Sequence, residues 1–184
     1  LTVIERQTFE HCTAMALTEL PQTLTAIRAE AFYQCQSLAL TEMPASLLYI
    51  EDNAFRNCNS MELKALPMYL THIHAGTFAN CHKLALTHLP PRLKRISVQA
   101  FNRCLEMPLR ALPDELISID KLAFGSCEAL AIDTIPASVT TIAPDAFRHA
   151  SSSARKAYSS WRVARFGAHS SPSNSDSSPD NSDS

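Results

Sequence analysis

Apolar residues recur in this chain every 23 positions, with no insertion or deletion to disturb the register, and that periodicity constrains the fold more than any other feature. Written in rows of 23, the sequence shows seven apolar columns. The first runs Leu1, Leu24, Leu47, Leu70, Leu93, Leu116 and Val139. Three residues on stands an isoleucine column from Ile4 to Ile142, and then an unbroken phenylalanine column from Phe9 to Phe147. A cysteine column follows (Cys12, Cys35, Cys58, Cys81, Cys104, Cys127), with Ala150 in the seventh row. The remaining columns begin at Met15, Leu17 and Leu20, the last of these followed by proline in every full row. No single row can bury seven apolar side chains by itself. The rows must therefore stack, each covering the next.

Within a row the apolar spacing fits neither a sustained helix nor a long strand. The one alternating step, Met15 and Leu17 with their equivalents, predicts a short strand with both side chains turned inward. Pro21 and its equivalents cannot donate to a ladder, so that strand is expected to end there. A second extended piece is expected to carry Leu24 and Ile27, and the Ala31-Phe32 segment reads as a tight turn. With coils about 4.8 Å apart, six full rows make a rod on the order of 30 Å long.

The unit L-x-x-I-x-x-x-A-F-x-x-C-x-x-L, repeated in register over residues 1–150, resembles the BspA-like (treponemal-class) leucine-rich repeats. The resemblance implies a leucine-rich-repeat solenoid of six to seven coils, with a short parallel β-strand per coil and few or no regular helices. It further implies a non-enzymatic scaffold for protein–protein interaction, adhesive toward host or matrix proteins, at a cell surface or secreted. One departure matters for the outward face. The common family unit has L-x-x-I-x-I-P before the turn, whereas Leu38 to Pro44 reads L-x-L-x-x-L-P, which shifts the outward positions by a residue. The L-P-x-x-L-x-x-I stretch is also similar to the leucine-rich effectors of pathogenic bacteria. The alternative is therefore an intracellular or secreted effector-type scaffold that binds a regulatory protein.

The chemistry of known active sites has no counterpart in the pattern. Three glycines (Gly76, Gly125, Gly167) supply no phosphate-cradling loop, and no G-x-S-x-G or H-E-x-x-H occurs. No catalytic residue, metal site or cofactor is expected. The six cysteines lie in one column 23 apart, so four of them cannot converge on zinc. They are expected to form an internal ladder of free thiols, each reaching a backbone carbonyl and all closed to solvent. His72, His74, His82 and His88 crowd neighbouring rows but are expected to be solvated. No apolar run approaches the length of a membrane span. The chain starts on a repeat leucine without a charged-then-apolar leader, which reads as a fragment or processed form.

After Phe147 the columns stop. Residues 151–169 place Ala154, Ala157, Tyr158, Trp161 and Ala164 on one face of a helix, as expected of a C-terminal cap segment over the last coil. Contact of this basic segment with an anionic membrane or a partner is one alternative, and simple disorder is another. Residues 170–184 are a Ser/Asp-rich tail expected to be disordered.

Charge is banded along the chain. Residues 1–63 carry a net −5, 64–110 a net +6, 111–147 a net −5 and 148–166 a net +5. The basic band suggests docking of an acidic protein partner through Arg92, Lys94 and Arg95. The column expected to face outward from the strand is Thr18, Thr41, Lys64, Thr87, Arg110 and Asp133. The basic band lacks aromatic residues for base stacking, so nucleic acid is not an expected partner.

Overall fold

The computed structural model describes residues 1–167. Seven two-residue strands recur at the 23-residue period: β1 (Val3–Ile4), β2 (Ala26–Ile27), β3 (Tyr49–Ile50), β4 (His72–Ile73), β5 (Arg95–Ile96), β6 (Ser118–Ile119) and β7 (Thr141–Ile142). Neighbours pair in parallel with a constant register, Ile4 opposite Ile27 and Ile96 opposite Ile119. The expected stack of coils is the observed architecture. The strands, however, carry the isoleucine column and not the Met15/Leu17 column. The physical reason lies in the hydrogen bonds. Flanking each strand that pairs with the one before it, two separated amides reach the preceding coil, as with Leu48 N–H to Thr25 O and Glu51 N–H to Ile27 O. Around the Leu17 column most steps make a single bond there, such as Glu62 N–H to Leu40 O, and the step at Ala85 and Thr87 makes two. Pro108, having no N–H, cannot make even that. Met61, Leu63, Leu84 and Leu86 nonetheless point fully inward, as the alternation predicts.

The opposite wall is made of successive tight turns, and its hydrogen bonds run the other way along the rod. Phe32 N–H donates to Ala54 O at 2.8 Å, Phe55 N–H to Thr77 O at 2.9 Å and Phe78 N–H to Ala100 O at 2.9 Å. To aim three amides per coil at the next coil, the chain places residues two before and two after Phe in the left-handed region, Asn53 and Asn57 for example. Asn tolerates that region better than most side chains. Gly76 has φ +60°, and a Cβ there would lie 2.2 Å from Asn53 Oδ1. Glycine meets the left-handed turn without strain there and leaves room for the Asn53 side chain, though Asn53, Gln99 and Leu122 hold the same turn position in other coils.

Between the walls the phenylalanines stack ring on ring from Phe9 to Phe147, with centroids 5.2 to 5.8 Å apart. Phe32, Phe55, Phe78, Phe101 and Phe124 are fully buried. Cys35, Cys58, Cys81, Cys104 and Cys127 are buried as well, each thiol donating to the carbonyl of the Phe 26 residues earlier at 3.0–3.2 Å. Burial raises these thiols, Cys35 to about 11 and Cys81 to about 12. Cys12 departs from the expectation of six closed thiols. It is exposed, with no coil packed over it among the described residues.

The strand ladder is interrupted once. The strands form a three-stranded sheet, β1–β3, and a four-stranded sheet, β4–β7, with no pairing between Tyr49–Ile50 and His72–Ile73. On the opposite wall the same two coils remain bonded, Asn53 N–H to Ala75 O and Asn57 N–H to Ala79 O. The phenylalanine step there, Phe55 to Phe78, is the widest of the stack at 5.8 Å.

Helix α1 (Ser152–Phe166) follows the last coil, N-capped by Ser151, whose side chain accepts from Ala154 N–H. Ala154 and Ala157 are buried, Tyr158 meets the Phe147 ring, and Trp161 Nε1–H donates to Val139 O at 3.2 Å. Residues 168 and 169 of the expected cap segment, and the whole 170–184 tail, lie outside the described residues.

Candidate recognition surface

From the third coil on, the buried first-column residue and the strand isoleucine turn the two residues between them outward, whereas Ala26 in the second coil is itself buried. On the strand face this gives Leu48 and Tyr49, Thr71 and His72, Lys94 and Arg95, Ile117 and Ser118. The column expected to be strand-facing does not lie on the strands. Thr18, Thr41, Lys64, Thr87, Arg110 and Asp133 are all exposed, but they stand at the corner that leads to the proline turn. The structure brings Thr18 and Thr41 together with Glu19 and Glu42 in a polar groove of about 340 Å³. Asp133 instead borders a groove of about 450 Å³ between the last coil and α1, facing Trp161 and Arg165.

The three cations of the basic band have different surroundings. Arg95 donates through Nε and Nη2 to Asp120 Oδ2, at 3.1 and 2.7 Å. Lys94 pairs with Glu115 at 3.4 Å. Arg92 has no ion pair among the described residues. The same inter-coil pairing recurs in Arg28–Glu51 at 2.6 Å, Lys83–Glu62 at 3.3 Å and Lys121–Asp145 at 3.9 Å. The charge bands are thus partly stitched together where they meet. Burial would raise the Glu51 carboxyl, but the hydrogen bonds from Arg28 and the Ala29 amide, with the Arg28 charge, hold it below its ordinary value. The hydrogen bond and charge of Glu51 correspondingly raise Arg28.

His72 and His74 approach to 6.2 Å between ring centroids, and His72 is lowered by partial burial, by His74 and by Arg95 and Lys94. Among the described residues no three His, Cys, Asp or Glu side chains gather closely enough to hold a metal ion. No helix among them is long and apolar enough to cross a membrane.

The sequence reading passed over four exposed apolar side chains, Leu48, Tyr49, Met68 and Tyr69, on the two coils that flank the interrupted ladder. A signal for them exists. Tyr49 occupies a column otherwise held by Val3, Ala26, His72, Arg95, Ser118 and Thr141, so a large aromatic there is out of pattern.

A family model described as the BspA type leucine rich repeat region matches residues 2–130 and 95–169 with six copies of the repeat. No curated protein matches the chain. Among solved structures, a leucine-rich repeat protein from Bacteroides ovatus ATCC 8483 superposes with a TM-score of 0.64 at 29% identity, over 77% of this chain and 37% of that one. A leucine rich cell surface protein from Faecalibacterium prausnitzii A2-165 gives 0.66 at 27% identity, over 81% and 40%. A leucine-rich repeat protein from Eubacterium ventriosum ATCC 27560 gives 0.58 at 20%, over 82% and 46%, and shares the fold. The chain spans less than half the length of each of these three proteins.

Proposed function

We propose that this chain, which belongs to the BspA-type leucine-rich repeat family, is a non-enzymatic scaffold that binds proteins adhesively at a cell surface. The observation that carries this reading is the division of labour within each coil. Fixed inward columns hold the backbone, while outward positions differ from coil to coil without disturbing it. Such a surface can be altered residue by residue at little cost in stability, as recognition by repeat proteins requires. The cell-surface placement draws on the similar Faecalibacterium prausnitzii protein, which is described as a cell surface protein. Adhesion is fold-level analogy given direction by that likeness.

Beads coated with the chain should adhere to surfaces bearing extracellular-matrix or cell-surface proteins. Adhesion should be lost when the coils are disrupted by Phe78→Ala. Beads that adhere equally to protein-free lipid or polysaccharide would overturn the reading. A binding profile confined to intracellular regulatory proteins would favour the effector-type scaffold instead.

A further inference from the structure

We propose that the face beside the interrupted strand ladder binds a short acidic segment of a protein partner that also carries apolar side chains. This rests on the scaffold reading and gives it a site and a partner chemistry. Leu48, Tyr49, Met68 and Tyr69 are 43, 61, 56 and 52% exposed, on two adjacent coils. Elsewhere on the coil walls large exposed apolar residues stand singly, as Val98 and Ile117 do. By the repeat, Tyr69 stands one coil on from Ser46, two residues before Leu48, and exposed apolar residues grouped on an otherwise polar surface mark an interaction site. Tyrosine and methionine, moreover, are favoured where interfaces bury their centres. Two coils span only about 10 Å along the rod. That is far less than a standard protein interface needs, so the surface suits a short segment and not a broad globular face.

Charge identifies the occupant. Arg92 is the equivalent of Tyr69 one coil on, about 4.8 Å away along the rod. Lys64 precedes Met68 by four residues on the same coil. Neither has an ion pair among the described residues, whereas Lys83, Lys94 and Arg95 around them each hold a carboxylate. Arg92 thus stands next along the rod from Tyr69, and Lys64 at the corner that leads through Pro67 to Met68, neither with an ion pair among the described residues. A carboxylate-bearing segment would complete them, and a basic segment would be repelled. The coils under the patch are also the pair whose strands are not hydrogen-bonded to one another.

A display library of random twelve-residue peptides, selected against the whole chain, tests this directly. Enriched peptides should carry two or more Asp or Glu beside aromatic or aliphatic residues. In fluorescence anisotropy, Tyr49→Ser/Tyr69→Ser and Lys64→Glu/Arg92→Glu should each weaken binding by about tenfold or more. Replacing the peptide acids by lysine should restore binding to the Lys64→Glu/Arg92→Glu variant, which an unfolded variant could not do. The remote pair Val98→Ser/Arg103→Glu should bind as the parent does. Enriched peptides without acids, or affinity unchanged in both patch variants, would overturn the proposal. Binding lost only in the remote pair would overturn it while leaving the scaffold reading intact. Enrichment of no peptide at all would count against both.

Discussion

The thiol of Cys81 donates to the carbonyl oxygen of Phe55 across 3.1 Å, one coil away. The same bond recurs from Cys35 to Cys127, so each thiol is a second donor to a carbonyl that already accepts a backbone amide, as Phe55 O does from Cys58 N–H. Cys12 is the first of the column and is exposed, with no coil over it among the described residues. Native protein should therefore show one thiol that reacts quickly with an aromatic disulfide reagent, and denatured protein all six. Cys12→Ser should abolish the fast phase. Several fast thiols in native protein would mean that the coils do not close over the column.

The buried thiols also set a pH limit on stability. Burial raises Cys35 to about 11 and Cys81 and Cys127 to about 12, while Cys58 and Cys104 are pushed well above their ordinary value. A thiol whose folded value exceeds its unfolded value, about 8.5, stabilises fully below that lower value and loses the contribution as pH rises through the upper one. Urea midpoints should be level up to about pH 8 and fall steeply by pH 10. Each thiol should contribute on the order of 1.4 kcal/mol per pH unit within that window. Single Cys→Ala variants should each flatten the slope.

Phe78 lies between the Phe55 and Phe101 rings, at 5.8 and 5.6 Å, and is fully buried. Phe78→Ala should cost about 3–5 kcal/mol, since neighbouring coils cannot collapse into the gap without breaking the amide ladder. Tyr49→Ser, on the open face, should shift the midpoint by no more than about 0.5 kcal/mol. Equal effects for the two variants would contradict the assignment of inside and outside.

Trp161 reaches back over the last coil, donating to Val139 O and contacting the Tyr158 ring. Trp161→Ala removes that bond and much of the apolar cover of the terminal coil. Hydrogen exchange should then accelerate at Val139 to Phe147 and remain unchanged near Leu70. Uniform acceleration along the rod would show that α1 stabilises the whole array and not its end alone.

Inside positions were legible in the sequence because burial repeats with the coil. Every row applies the same constraint to Leu24, Ile27, Phe32 and Cys35, and six repetitions leave no ambiguity. Of the two expected extended pieces, the one carrying Leu24 and Ile27 holds the strand and the one at Met15 and Leu17 does not, since inward alternation shows where side chains point and not which amides find partners. The outward face was harder to read. Its residues carry no shared constraint, so neither the pairing of Arg95 with Asp120 nor the exposure of Tyr49 and Tyr69 on neighbouring levels of the rod follows from a column. Both depend on coil-to-coil adjacency.

That adjacency separates the cations of the basic band. Asp120 is only 19% exposed in its side chain and accepts twice from Arg95, whereas Arg92 has no ion pair among the described residues. Arg95→Glu would set a carboxylate against Asp120 and remove both donors. The cost should be about 1–2 kcal/mol, small because the arginine itself is half exposed. Lys94→Glu, opposite the exposed Glu115, should cost no more than about 1 kcal/mol and should recover in high salt. Arg92→Glu should leave the urea midpoint unchanged. If Arg92, Lys94 and Arg95 are all replaced by Glu, a loss of binding would therefore mix a stitched ladder with a recognition surface. The single Arg92→Glu variant isolates recognition. Equal destabilisation by all three single substitutions would mean that net charge, and not the Arg95–Asp120 contact, governs stability in this band.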